Sequence, residues 1–266
     1  MPRALITGCS TGFGRAAAVE LTKRGFEVVA TARRPETLEG LDVAEKLRLD
    51  VDDPASITEA VAKAGQIDAL VNNAAVGIHG PVESTPVDEV RKILETNVLG
   101  SLRMIQAVLP QMRERGSGVI VNVSSIAGRV AAPLGGFYSA SKYALEAISE
   151  SLHYEVGHFG IRVALVEPGG FDTSFGDNRR IFAVDGPPYD ELDRIWEKSQ
   201  TRLQGPAGER PGPEVVAQTI ADAVEGKEQK LRWLVGDDAK LVMDVRNSMN
   251  DEDFEATMRQ TLELDW

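Results

Sequence analysis

The feature that most constrains this chain is a glycine-rich turn between a short apolar segment and a helix-like one. Ala4-Leu5-Ile6-Thr7 reads as a buried strand, Gly8-Cys-Ser-Thr-Gly12-Phe-Gly14 as a turn, and Arg15 to Arg24 as a helix. Such a turn lets another group come close to the backbone, and its free N–H groups and the helix dipole suit a pyrophosphate. A second apolar run from Phe26 to Thr31 completes a strand–turn–helix–strand unit. The expected ligand of that unit is a dinucleotide.

The rest of the chain continues the alternation. Strands are expected near 3–7, 26–31, 46–50, 67–72, 118–124, 161–167 and 231–235. Several are unbroken Val/Ile/Leu runs, as in strands buried on both faces. Asp53-Pro54 is a cap followed by proline at the first helical position. One long helix is expected from Asp88 to Arg113, ended by Gly116, and another from Gly136 to His158, ended by Gly160. The pattern implies a single α/β domain: a doubly wound, seven-stranded parallel sheet flanked by helices. In that architecture ligands lie beyond the carboxyl ends of the strands, where strand order reverses. The glycine turn, Asn73, Ser125 and Pro168 all follow expected strands, so they converge on one rim.

Tyr138 and Lys142 stand four apart in the second long helix, on one face and one turn apart, and Ser125 precedes the tyrosine by thirteen residues. A phenol ionises near pH ~10. A fixed positive charge beside it favours the phenolate, so Lys142 is expected to lower the Tyr138 pKa and make it an acid/base at neutral pH. After the second strand the chain reads Ala30-Thr-Ala32-Arg33-Arg34, with no carboxylate for a ribose 2′-hydroxyl. Guanidinium groups suit a 2′-phosphate, so NADP(H) is expected over NAD(H). Arg34 reads equally as a solvated loop charge, and Ser10 and Thr11 offer further hydroxyl donors.

Together these residues resemble the short-chain dehydrogenase/reductase family, in its shorter-chain branch, over residues 3 to about 236. Thr7-Gly8-x-x-x-Gly12-x-Gly14 matches the cofactor loop, Asp50-Val51 the adenine contact, and Asn72-Asn73-Ala74-Ala75 the N-N-A-G motif, with Ala75 for glycine. Asn97, Ser125, Tyr138 and Lys142 match the catalytic positions, and Pro168-Gly169-x-x-x-Thr173 the nicotinamide-flanking segment. The resemblance implies a Rossmann-like domain whose cofactor contacts are Gly8, Ser10, Thr11, Gly12, Phe13, Gly14, Arg33, Arg34, Asp50, Val51, Asn73, Ala74, Tyr138, Lys142, Pro168, Gly169 and Thr173. It implies hydride transfer between nicotinamide and a ketone or secondary alcohol, with Tyr138 as general acid/base and Ser125 hydrogen-bonding the reacting oxygen. Lys142 would also hold the nicotinamide ribose, and Asn97 a water linking it to solvent. Gly8 to Gly14 and Glu167 to Asp172 look most like the hydroxysteroid and retinol dehydrogenase group. Two other uses of the fold remain open, epimerisation or dehydration with the same tyrosine, and a non-catalytic dinucleotide sensor. A homodimer or homotetramer through the long helices is expected from the family.

Composition and the remaining segments complete the expectations. A net charge of −12, from 29 basic and 41 acidic residues, argues against nucleic acid and anionic membrane surfaces. No apolar run approaches the about eighteen residues of a membrane span. The first strand begins by residue 3, leaving no room for a signal peptide. Cys9 is the only cysteine, so no internal disulfide forms and a reducing, cytoplasmic setting is expected; the residue reads as a small side chain in its loop. The histidines 79, 153 and 158 lack metal-ligand spacing, and Asp251-Glu-Asp253 lacks a calcium-loop pattern. The insertion 171–212, rich in glycine, proline and aromatics, is expected to be a substrate lid. Phe171, Phe175, Phe182, Tyr189 and Trp196 either line its apolar pocket or staple it to the body. The pocket itself is expected between Val76–Val82, Gly128–Phe137 and the lid, with Arg129 available to a polar substrate group and His79 at its rim or in a plain loop. The segment 237–266 is expected to be an acidic helical extension, with Trp266 against the body or a partner subunit.

Overall fold

The computed structural model describes residues 1–176, 179–182, 186–202 and 210–264. The chain begins with β1 (Arg3–Ile6), α1 (Gly12–Lys23), β2 (Glu27–Ala32), β3 (Glu45–Arg48), α2 (Pro54–Ala64) and β4 (Ala69–Asn72). Next come the two-residue strand β5 (Ile78–His79), α3 (Val87–Leu94), α4 (Ser101–Arg115), β6 (Gly118–Val123), α5 (Gly136–Val156) and β7 (Ile161–Pro168). The chain continues through β8 (Arg180–Ile181), α6 (Asp190–Arg202), α7 (Glu214–Glu225), β9 (Arg232–Val235), α8 (Asp237–Ser248) and α9 (Asp251–Leu262).

Among the described residues, seven strands form one parallel sheet in the order β3-β2-β1-β4-β6-β7-β9, and β5 and β8 pair separately, also parallel. Order reverses between β1 and β4. The expected strands match those found to within about two residues at each end. The unbroken apolar runs are explained by two cores. Ala4, Ile6, Val28, Ala30, Val71, Val121 and Val166 face α1 and α7, where Ala17, Leu21, Val216 and Ile220 are buried. Their alternates Leu5, Val29, Leu70, Ile120 and Val163 face α2, α4 and α5, where Ile57, Met104, Val108 and Leu152 are buried. Because successive strand side chains point to opposite faces, a sheet covered on both sides needs apolar residues at every position.

Local signals held at several ends. Asp53 caps α2 by accepting from the Ala55 N–H at 2.9 Å, with Pro54 at the first helical position. Gly116 and Gly160 take the left-handed conformation that ends a helix. The expected long helix from Asp88 to Arg113 is found as an unbroken helical run over 87–115, in which α3 and α4 flank a π-helical turn, Glu95–Gly100, that carries Asn97. Gly100 is needed there because a Cβ would stand 2.7 Å from Val51 Cγ2. No helix among the described residues is long and apolar enough to cross a membrane.

Candidate functional site

At the reversal point the loops after β1 and β4 are stitched together. Thr7 Oγ1 accepts from the N–H groups of Asn73 (2.9 Å) and Ala74 (3.0 Å). Asn73 Nδ2 donates back to the Thr7 carbonyl at 2.9 Å and the Gly8 carbonyl at 3.0 Å. This strut is why Gly14 must lack a side chain: a Cβ would lie 2.4 Å from both Asn73 Nδ2 and the Gly8 carbonyl oxygen. Gly8 and Gly12 have φ of +73° and +58°, values that suit glycine. The N-terminus of α1 has no side-chain cap and no acidic residue in its first turn, so its N–H groups and dipole face an anion without competition. Ser10 is half-buried and Thr11 exposed on the same loop, and Thr173 lies across from Gly12, 3.7 Å from where its Cβ would be. Arg33 and Arg34 are exposed beyond β2, and neither forms an ion pair within 4 Å among the described residues. Arg33 borders a cleft of about 130 Å³ with Asp52, Val76 and Thr96. Val51 is buried beside Gly100, and the Asp50 N–H donates to Ser56 Oγ at 3.0 Å. These features fit a dinucleotide with an anionic centre at α1.

Ser125, Tyr138, Lys142 and Asn97 come together beyond β6 and along α5. Ser125 Oγ accepts from the Ala127 N–H (3.1 Å) and donates toward the Pro168 carbonyl (3.4 Å). Lys142 is buried, and its Nζ lies 5.8 Å from the Tyr138 ring centroid while donating to the Val123 carbonyl at 2.8 Å. Asn97 is buried and clamps Val76 from both sides, accepting from its N–H (2.8 Å) and donating to its carbonyl (3.0 Å). Its Nδ2 also donates to Ser141 Oγ at 3.0 Å, and Ser141 donates to the Tyr138 carbonyl at 2.7 Å.

The electrostatics correct one expectation. Burial pushes the Tyr138 phenol up to about 12, opposed by the neighbouring Ser125 hydroxyl, rather than Lys142 pulling it down. The spacing did bring the pair together. Burial, however, brings Lys142 itself down to about 8, opposed by the Glu146 charge, and its ammonium is directed at a backbone carbonyl. Arg129 is also corrected. Its guanidinium turns inward to Glu167 at 3.0 Å instead of toward a substrate. Burial, with the nearby Glu146 charge, raises the Glu167 carboxyl, and Arg129 opposes that.

The segments expected around a pocket do meet. The Gly80 N–H donates to the Leu134 carbonyl at 2.8 Å, and a Cβ on Gly136 would touch Val82 at 3.2 Å. The described part of 171–212 is tied across them by the β5–β8 pairing, by Arg180 with Glu89, and by Tyr189 Oη donating to Glu83 at 2.5 Å. His79 is buried in β5 and bonded to Asp193 of α6 at 2.6 Å, so it is not a plain loop residue. The aromatics divide between the two expected roles. Phe175 packs on the Tyr138 ring with centroids 5.6 Å apart, whereas Phe171 is buried edge-on against Phe13 at 5.7 Å. The Gly205-Pro206 part of the expected lid and Trp266 lie outside the described residues.

The short chain dehydrogenase family matches residues 2–182. The chain belongs to the short-chain dehydrogenase family. It is 43% identical over 193 residues to a 3-ketodihydrosphingosine reductase of Bacteroides thetaiotaomicron, covering 71% of each chain. It is 41% identical over 180 residues to human retinol dehydrogenase 5, covering 63% of this chain and 56% of that one. A short-chain dehydrogenase structure from Streptomyces avermitilis superimposes with TM-score 0.80 at 38% identity, covering 98% of both chains. One from Burkholderia cenocepacia in complex with NADP superimposes with TM-score 0.76 at 26% identity, covering 98% of this chain and 97% of that one. This short-chain dehydrogenase is therefore an oxidoreductase whose fold binds a nicotinamide dinucleotide.

Two residues packed against the candidate site were not foreseen from sequence. Asp238, in the first turn of α8, accepts from the Gly170 N–H at 2.6 Å and fills the space beside Gly169, where a Cβ would lie 2.2 Å from Oδ1. The signal was present as Gly236-Asp-Asp238, an acidic helix start after glycine, but nothing in it names the loop it reaches. Glu146 is the second, a buried carboxylate one turn beyond Lys142. Among the described residues no three His, Cys, Asp or Glu side chains gather as a metal site.

Proposed function

We propose that this chain is an NADP(H)-dependent oxidoreductase moving hydride between nicotinamide and a ketone or secondary alcohol, bulky and hydrophobic. The observation that carries the reading is Tyr138. It is a neutral, half-buried phenol beside the Ser125 hydroxyl, with the Phe175 ring packed on it at 5.6 Å. When bound, the cofactor supplies the hydride donor or acceptor. The chain supplies binding, orientation and the proton. Gly8, Ser10, Thr11, Gly12, Phe13 and Gly14 hold the pyrophosphate, and Arg33 with Arg34 the 2′-phosphate. Asp50 and Val51 meet the adenine, while Asn73, Ala74, Pro168, Gly169 and Thr173 flank the nicotinamide half.

In reduction, Tyr138 gives its proton to the substrate oxygen, and Ser125 hydrogen-bonds the same oxygen as charge develops there. In oxidation, Tyr138 takes the proton back, and Lys142 holds the nicotinamide ribose. Asn97 orders the water that returns protons to Lys142. The segment 171–212 acts as the lid, with Phe175 excluding water from the reacting oxygen. The names of the two relatives, one a ketone reductase and the other an alcohol dehydrogenase, support both directions. Exposed Leu99, Tyr143 and Tyr154 on the turn before α4 and on α5 support a homodimer or homotetramer through the long helices.

The test is Tyr138→Phe assayed by NADPH absorbance against steroids, retinoids, aryl ketones and keto esters. Turnover of any ketone accepted by the wild type should fall by at least about 10²-fold, with NADPH binding retained. Wild-type turnover in the variant refutes the reading.

A further inference from the structure

The turn of α5 that follows Lys142 is packed with charge. Glu146 is buried, and its Oε2 is held by Arg232 Nε of β9 at 3.0 Å. Its Oε1 is buried with no hydrogen-bond partner among the described residues. The same guanidinium reaches Glu150 of α5 at 2.8 Å and Glu167 of β7 at 3.4 Å, and Arg129 completes the group on Glu167 at 3.0 Å. The cluster touches the candidate site. A Cβ on Gly128 would lie 3.0 Å from both Glu146 Cγ and Ser124 Oγ and 3.2 Å from the Lys142 backbone. The segment carrying Ser125 therefore rests on the Lys142–Glu146 turn. Ser124 Oγ is likewise buried with no partner there.

Lys142 needs a source of negative potential. It forms no ion pair within 4 Å among the described residues, and its one acceptor, the Val123 carbonyl, is uncharged. Burial alone discharges a lysine. Of the groups in this cluster and beside it on α5, Tyr138 is neutral, and Arg232 and Arg129 are cationic. Glu150 and Glu167 are shared with those guanidinium groups. Glu146 is the acid that shares its helix face, one turn away, and still has an oxygen without a partner. Its charge opposes the burial of Lys142.

We propose that Glu146 is a positioning residue for the proton-handling pair: a buried carboxylate that keeps Lys142 in its ammonium form while Arg232 fixes its geometry. The inference rests on the reading of Tyr138 and Lys142 given above. Glu146 touches neither substrate nor cofactor; it acts through Lys142.

The experiment titrates Lys142 directly, without substrate. Protein carrying ¹³C-labelled lysine is followed by NMR, the Lys142 Cε resonance being assigned by its loss in Lys142→Met. In Glu146→Gln the midpoint should fall by about one pH unit, because an isosteric amide removes the favourable charge. Glu146→Asp, which retains the charge, should restore most of the shift. Arg232→Met, prepared independently should Glu146→Gln fail to fold, removes the cation that offsets Glu146 and should move the midpoint upward. An unchanged midpoint in Glu146→Gln overturns the inference, as does an equal fall in Glu146→Asp or a downward shift in Arg232→Met. The reading of Tyr138 is tested separately by Tyr138→Phe turnover, so either can fail alone.

Discussion

Replacing Gly14 by alanine tests the cofactor cradle at its tightest point. The new Cβ would stand 2.4 Å from Asn73 Nδ2 and 2.4 Å from the Gly8 carbonyl oxygen. Ordinary contacts begin near 3.4 Å, so both neighbours must retreat by roughly 1.0 Å. The oxygen is backbone. The amide holds two hydrogen bonds, at 2.9 and 3.0 Å, which its retreat would stretch. Overpacking of this kind costs about 1–3 kcal/mol, and two weakened hydrogen bonds add about 1 kcal/mol. We take about 3 kcal/mol. With an unfolding entropy of about 2.1 cal/mol/K per residue, a chain of 266 residues should lose about 5 °C in Tm. A displaced loop should also raise the NADPH dissociation constant at least about tenfold, the equivalent of about 1.4 kcal/mol. Thermal unfolding by circular dichroism and NADPH fluorescence titration measure the two effects. Gly12→Ala is the internal control. Its Cβ meets nothing nearer than Thr173 at 3.7 Å, so only the left-handed backbone cost of roughly 1–2 kcal/mol applies. Wild-type Tm and NADPH affinity in Gly14→Ala would refute the reasoning, as would a larger loss in Gly12→Ala.

Two further outcomes are expected. Lys142 ionises in the fold near 8 against an ordinary 10.5, so its charge opposes folding by about 3 kcal/mol at neutral pH. That penalty applies below pH 8 and disappears as pH rises from 8 to 10.5, because there the unfolded chain binds the extra proton. The stability of Lys142→Met relative to wild type, measured by urea unfolding, should therefore decline by about 3 kcal/mol across that window; a flat difference refutes it. Arg33→Asp should lower the ratio of NADPH to NADH affinity by roughly 10–100-fold, since it exchanges charge-assisted hydrogen bonds for repulsion. Fluorescence titration with each cofactor checks this, and an unchanged ratio dismisses the 2′-phosphate role.

The sheet was legible because burial on both faces leaves its mark as unbroken apolar runs, and the two cores found on either side of Leu5 and Ile6 are the physical source of that mark. The glycine turn was legible because φ and close approach restrict the residue types allowed. The π-helical turn at Asn97 was not, since the residues packed against it, such as Val51 against Gly100, come from a distant segment. The ionisation of Tyr138 was misjudged for a similar reason. Helical spacing places Lys142 beside it, but burial and the Val123 carbonyl, which fix the balance of charge, come from tertiary packing. Arg129 showed the same limit: a basic residue in a loop carries no sign of whether it faces solvent or a buried Glu167.

The bond from Asp238 to the Gly170 N–H has a consequence for how such a molecule can change. The family match ends at residue 182, yet the loop after β7 is braced by a helix from well beyond it. The C-terminal region is thus a buttress of the cleft, and drift in its sequence can retune the cleft's mouth while every motif residue stays untouched.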